Sequence, residues 1–131
     1  MMRGLTYRVP ASKMAAGAGS EHEFRAITIE GPDGLITVAV SGEVDIATSS
    51  TLGRALDAAV ALAPRNLELD LRECTFIDST GLQVIIRAGT ALAQSGRSVT
   101  LKQPQAHVRR VFVTAGLDQI DGLRLPEEAA R

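Results

Sequence analysis

Leu67-Glu68-Leu69-Asp70-Leu71, continued through Cys74-Thr75-Phe76-Ile77-Asp78-Ser79-Thr80-Gly81-Leu82, contains the change of rhythm that decides the fold. Leucines first alternate with acidic residues at a period of two, as in a strand with one buried face, and the apolar character runs on to Ile77 and stops at Asp78. From Ser79 the period changes. Leu82, Ile85, Ile86, Gly89 and Leu92 share one face of a helix, Gln83, Arg87, Thr90 and Gln94 share the other, and Gly96 stands where a C-terminal cap belongs. A strand that feeds directly into an amphipathic helix is half of a strand-helix-strand unit, and such units join parallel strands.

Reading outward in both directions completes the pattern. Downstream come a strand at Ser98 to Lys102, a helix with Val108, Val111, Phe112 and Ala115 that ends at Gly116, and a short strand within Ile120 to Leu125. Upstream, Leu52, Ala55, Leu56, Ala59 and Val60 lie at helical spacing before Pro64, with Thr48, Ser49 and Ser50 as N-cap candidates. Before that helix, Leu35 to Ser41 is nearly continuous in apolar character, as expected of an interior strand covered on both faces. Phe24, Ala26, Ile27 and Ile29 form a first strand, joined to the second through the turn residues Gly31, Pro32, Asp33 and Gly34. The order strand, strand, helix, strand, helix, strand, helix predicts an α/β fold with a mixed four- to five-stranded sheet and helices packed on it.

A chain of 131 residues supports one such core. Residues 1–22, with Ala15-Ala16-Gly17-Ala18-Gly19-Ser20 and no burying period, read as a flexible N-terminal arm, which leaves residues 23–131 for the domain. Aromatics make up 3% of the residues, so the core is aliphatic. A net charge of -1 offers no overall field for a polyanion, which argues against direct nucleic-acid binding. One cysteine, Cys74, forms neither an internal disulfide nor a zinc site, and a small buried residue in the loop before Asp78 is its expected fate. No apolar run is long enough to span a bilayer, so a cytoplasmic protein without membrane insertion is expected.

The junction at Asp78 is where open α/β sheets place functional sites. Amides in the first turn of a helix lack intrahelical partners, and the dipole there favours negative charge, so a phosphoryl group on Ser79 or Thr80 would be tolerated. The plainer alternative is that Asp78 or Ser79 simply caps the helix. Enzymatic readings fail on the residues. A serine nucleophile needs a base, but His22 lies in the arm, His107 begins another helix, and no G-x-S-x-G elbow is present. Thr80 separates Ser79 from Gly81, and no second D-[ST]-G loop supplies a partner carboxylate; the P-loop spacing is also absent. No cofactor or metal is called for. A second cluster, Ser41-Gly42-Glu43-Val44-Asp45, follows an adjacent strand; if both strands run the same way, Glu43, Asp45 and Asp78 surround Ser79, and the plainer alternative is a solvated acidic loop with Asp45 in a turn.

Three stretches, Val40 to Asp45, Leu69 to Leu82 and Val111-Phe112-Val113-Thr114-Ala115-Gly116-Leu117, resemble in order and spacing the signatures of the anti-sigma factor antagonists, the SpoIIAA-like STAS domains. The resemblance covers about Phe24 to Leu125. It implies a bacterial protein that works by partner switching: it occupies an anti-sigma factor with a GHKL-type serine kinase fold and thereby frees a sigma factor for transcription. It also implies phosphorylation of Ser79 by that kinase and dephosphorylation by a PP2C-type phosphatase. Gly42, Glu43, Asp45, Asp78, Ser79, Thr80 and Gly81 become the switch surface, with Thr80 as the neighbour of the acceptor. The arm and the short tail after Leu125 depart from the family pattern. The competing expectation is a STAS subunit of a transport (ABC) complex that needs no phosphate.

Overall fold

The computed structural model describes residues 23–63 and 65–127; the expected arm over residues 1–22 lies outside them. Five strands form one sheet in the order β1 (Arg25–Glu30), β2 (Ile36–Val44), β3 (Leu67–Ile77), β4 (Val99–Lys102) and β5 (Leu123–Arg124). β1 and β2 are antiparallel, and the remaining neighbours are parallel. Helices α1 (Ser49–Leu62), α2 (Ser79–Ala93) and α3 (Ala106–Thr114) occupy the crossovers, and a single 3-10 turn (Leu117–Gln119) precedes β5. The mixed α/β sheet read from the sequence is therefore present with five strands. No helix among the described residues is long and apolar enough to cross a membrane.

The core lies between one face of the sheet and the two longer helices. Ile36, Val38 and Val40 of β2, Leu67, Leu69 and Leu71 of β3, and Val99 and Leu101 of β4 are buried there with Leu52, Leu56 and Ala59 of α1 and Leu82, Ile85 and Leu92 of α2. The alternate residues Thr37, Ala39 and Ser41, together with Glu68, Asp70, Thr100 and Lys102, are only half-buried. The expectation that β2 is covered on both faces is thus corrected. Its apolar continuity comes from Ala39, which is small enough to sit on the more open face without needing cover. Ion pairs between Lys102 and Glu68 at 3.3 Å and between Arg72 and Asp70 at 2.9 Å belong to that open side.

Two irregularities in β3 shape the upper edge of the sheet. Ala39 and Ser41 of β2 face Asp70 and Glu73, and Gly42 and Glu43 face Cys74 and Phe76, so β3 carries one extra residue at each step. A bulge shifts the parity of every residue after it. Buried positions accordingly pass from Leu67, Leu69 and Leu71 to Cys74 and Ile77, at intervals of three instead of two. Cys74 is therefore a fully buried strand residue and not part of a loop.

β4 pairs only with Leu67 to Asp70, which leaves the second half of β3 without a strand on that side. The start of α3 fills the place: Gln105 Nε2 donates to the Arg72 carbonyl at 2.9 Å, and His107 Nε2 donates to the Thr75 carbonyl at 2.7 Å.

Candidate functional site

β2 and β3 run parallel and leave the sheet together. Val44 is paired with Ile77, and the Asp78 amide donates to the Val44 carbonyl at 3.1 Å. The segment after Val44 and the segment after Ile77 therefore emerge side by side, as the sequence led us to expect. β2 itself runs farther than expected: Gly42 and Glu43 belong to the strand and not to its exit loop. Gly42, at φ +94°, sits at the second bulge, where its left-handed backbone accommodates the step in register.

Asp78 occupies the N-cap of α2 in extended conformation. One carboxylate oxygen accepts from the amides of Thr80 at 3.0 Å and Gly81 at 3.2 Å, and from the Thr80 hydroxyl at 2.6 Å. These bonds hold the carboxyl below its ordinary value, with the Thr80 hydroxyl as the largest cause; partial burial opposes the shift, and the amides of Gly81 and Thr80 add to it. The sequence reading left the first-turn amides open to receive a phosphoryl group. The structure shows that Asp78 already takes two of them.

Gly81 sets the spacing between the helix and the sheet. A Cβ at that position would lie 2.5 Å from Val44 Cγ1 and 2.8 Å from Ile77 Cγ1, well inside contact distance. Only a glycine lets the first turn of α2 sit on the ends of both strands. Ser79 is exposed and its hydroxyl makes no hydrogen bond among the described residues, whereas the half-buried Thr80 has its hydroxyl tied to Asp78.

The β2–α1 loop is pinned in a comparable manner. Asp45 Oδ1 accepts from the amides of Ala47 at 3.0 Å and Thr48 at 3.2 Å. The Thr48 hydroxyl lies 2.8 Å from the Glu43 carbonyl and 3.2 Å from Asp45 Oδ1, and it accepts from the Asp45 amide at 3.0 Å. Thr48 holds the N-cap position of α1, yet its side chain turns back to the loop and makes no capping bond. Of the three carboxylates expected around Ser79, Asp45 and Asp78 are thus engaged with the backbone of their own loops, and Glu43 is exposed. Among the described residues no group of three or more His, Cys, Asp and Glu is arranged to hold a metal ion.

Two residues of this edge escaped the sequence reading. Ile46 is 80% exposed and Phe76 is 45% exposed. An isoleucine between a turn-forming Asp45 and an N-cap Thr48, outside the apolar phase of α1, was the available signal for the first. For Phe76 no signal existed, because the bulge that turns it outward leaves no mark in the pattern.

The same fold occurs in known proteins. The family described as "Mlab, STAS domain" matches residues 27–126. BtrV of Bordetella bronchiseptica, provisionally named an anti-sigma factor antagonist, is 31% identical over 79% of this chain and 90% of its own length. The crystal structure of an anti-sigma factor antagonist from Mycobacterium paratuberculosis is 31% identical, covers 80% of this chain and 88% of that one, and superposes with a TM-score of 0.65. SpoIIAA, solved in its unphosphorylated form, shares the fold at 20% identity, with 72% of this chain and 81% of that one covered and a TM-score of 0.59. Family match, sequence and architecture agree, and the chain belongs to the STAS domain family, among the SpoIIAA-like anti-sigma factor antagonists.

Proposed function

We propose that this protein regulates transcription by binding, not by catalysis: in the cytoplasm it occupies an anti-sigma factor that is also a GHKL-type serine kinase, a sigma factor is thereby released, and phosphorylation of Ser79 ends the interaction until a PP2C-type phosphatase restores it. Gly42, Glu43, Asp45, Asp78, Ser79, Thr80 and Gly81 form the switch segments, with Glu43 and Ser79 exposed and Gly81 buried in the first turn of α2. The observation that carries the reading is the contrast between two adjacent hydroxyls. Ser79 is exposed and its hydroxyl makes no hydrogen bond among the described residues, so a kinase reaches its oxygen without disturbing the fold, while the Thr80 hydroxyl is committed to Asp78 at 2.6 Å.

The chemistry of the switch follows from the occupied cap. A phosphate adds about -1.5 to -2 charges at neutral pH. With the amides of Thr80 and Gly81 already bonded to Asp78, those donors are not free to take the new charge, and it faces outward. Against a docked partner, a phosphate stripped of its water in an apolar contact costs several kcal/mol, and each ~1.4 kcal/mol is a tenfold loss of affinity. Release therefore needs no refolding of the antagonist.

The experiment is to incubate the protein and its Ser79→Ala variant with ATP and each GHKL-fold serine kinase encoded in the same genome, and to follow the intact mass. One added phosphate, absent from the variant, with loss of kinase binding by the modified form, is the expected result. A second reading keeps the fold and the docking edge but makes the chain a STAS accessory subunit of an ABC transport complex. The STAS domain of the matching family is compatible with either reading, and the names of the relatives speak for the first. No phosphate with any of the kinases decides for the second reading.

A further inference from the structure

Four large apolar side chains stand exposed among the described residues, namely Ile46, Leu62, Phe76 and Val113. Single apolar residues on a surface are ordinary. Ile46 and Phe76, however, share the edge that carries Ser79: Phe76 is the register partner of Glu43, and Ile46 follows Val44, the partner of Ile77, by two residues. Neither is exposed through looseness of the chain. The loop bearing Ile46 is fixed on both sides by the hydrogen bonds of Asp45 and Thr48, and Phe76 is held within β3 directly after the extra residue at Thr75. A rigid apolar side chain loses little conformational entropy on docking, which is the property of a binding anchor.

The two chain segments that meet at this edge carry charges of one sign. Residues 41–51 and 73–83 contain Glu43, Asp45, Glu73 and Asp78 and no Lys or Arg, although the whole chain has a net charge of only -1. The nearest cations along the chain are Arg54, one turn into α1, and Arg72, whose guanidinium is paired with Asp70 at 2.9 Å. We infer that Ile46 and Phe76 are the two apolar anchors by which this edge docks on the anti-sigma factor, and that the complementary surface of that partner is an apolar recess with a basic rim. The inference rests on the function proposed above and adds the residues that supply affinity and the chemistry of the surface they enter. Ser79 then lies beside the anchors, inside the zone that docking desolvates, where a phosphate is most costly.

The test is isothermal titration of the protein against each purified GHKL-fold serine kinase of its genome. Phe76→Ala, Ile46→Ser and Leu62→Ala are compared, with thermal unfolding of every variant as a check on folding. Ile46 is 80% exposed in a loop, so its replacement leaves the core untouched even if Phe76→Ala lowers stability. The expected result is a loss of about tenfold or more in affinity for each anchor variant and no change for Leu62→Ala. In addition, Glu43→Lys weakens binding through its slower association at low salt. Wild-type binding that both Ile46→Ser and Phe76→Ala leave intact overturns the anchors while the proposed function stands. Absence of wild-type binding to every kinase overturns both.

Discussion

Replacing Asp78 separates two roles that the sequence left open for the start of α2. Asp78→Ala removes the acceptor that holds the amides of Thr80 and Gly81 at 3.0 and 3.2 Å and the Thr80 hydroxyl at 2.6 Å. Loss of an N-cap acceptor costs about 0.5–2 kcal/mol, and loss of a negative charge at an exposed helix N-terminus about 0.3–1 kcal/mol. The expected destabilisation is therefore about 2 kcal/mol. Asp78→Asn keeps an oxygen acceptor and forfeits mainly the charge, so its cost is expected to stay near ~0.5 kcal/mol. Thr80→Val removes the donor from the shortest bond and costs about 1 kcal/mol. The double variant Asp78→Ala with Thr80→Val costs less than the sum of the two, because both delete the same hydrogen bond.

Urea denaturation followed by far-ultraviolet circular dichroism reads these differences directly. The pH dependence supplies a second check. The native carboxyl of Asp78 is held below the ordinary value of 3.8, so the unfolded chain takes up the proton first. Its contribution is therefore complete above the unfolded value and is lost as pH falls through the depressed native value. The stability gap between wild type and Asp78→Asn should be full at neutral pH and close in that acid range. Equal stability of wild type and Asp78→Ala at neutral pH, or a gap that widens toward acid, would refute the capping account and return the two amides to the role of phosphate ligands.

Two further expectations concern the rest of the fold. Gly122 has φ +93°, and a Cβ there would lie 2.0 Å from the Gly89 carbonyl oxygen, a backbone atom of α2 that no side-chain rotation moves; Gly122→Ala should cost about 3 kcal/mol in equilibrium unfolding from overpacking and backbone strain together, and a neutral substitution would show that β5 is not fixed against α2. Cys74 is fully buried, and burial raises its thiol above the ordinary value, opposed by a backbone hydrogen bond with Phe76; a disulfide reagent such as dithionitrobenzoate should label it in denaturant within the mixing time but under native conditions only as fast as the fold opens, and prompt native labelling would contradict the burial.

The regular elements were legible because each buries one face at its own period. The leucines of β3 and the Leu82, Ile85, Gly89 and Leu92 face of α2 announced a strand and a helix, and their junction at Asp78 identified the edge of interest. The extent of β2 was not legible. Gly42 and Glu43 look like a loop in sequence and become strand only because bulges in β3 let the ladder continue past Ser41. The same bulges send Phe76 outward and Cys74 inward, and no local pattern records an inserted residue whose partner strand lies more than thirty positions away. The lodging of α3 beside β3 was hidden for a related reason. It depends on β4 ending at Lys102 while β3 runs on to Ile77, a difference between two strands that neither strand shows alone.

Adjacent residues divide the work at this edge, and in the proposed switch that division is what makes a small modification sufficient. Asp78 supplies the negative charge that the helix N-terminus attracts, and its oxygen satisfies the amides of Thr80 and Gly81. Gly81 brings those amides against Val44 and Ile77, so the capped turn is anchored on the core. Ser79 takes part in neither task, and its hydroxyl is free of hydrogen bonds among the described residues. A site that needed Ser79 for its cap would loosen when the hydroxyl was modified, and the signal would arrive as partial unfolding, slow and costly for a domain of this size. Here the structural demands are met by the residues on either side. Under the proposed switch, a phosphate on Ser79 changes the surface the partner meets while leaving the helix as it was.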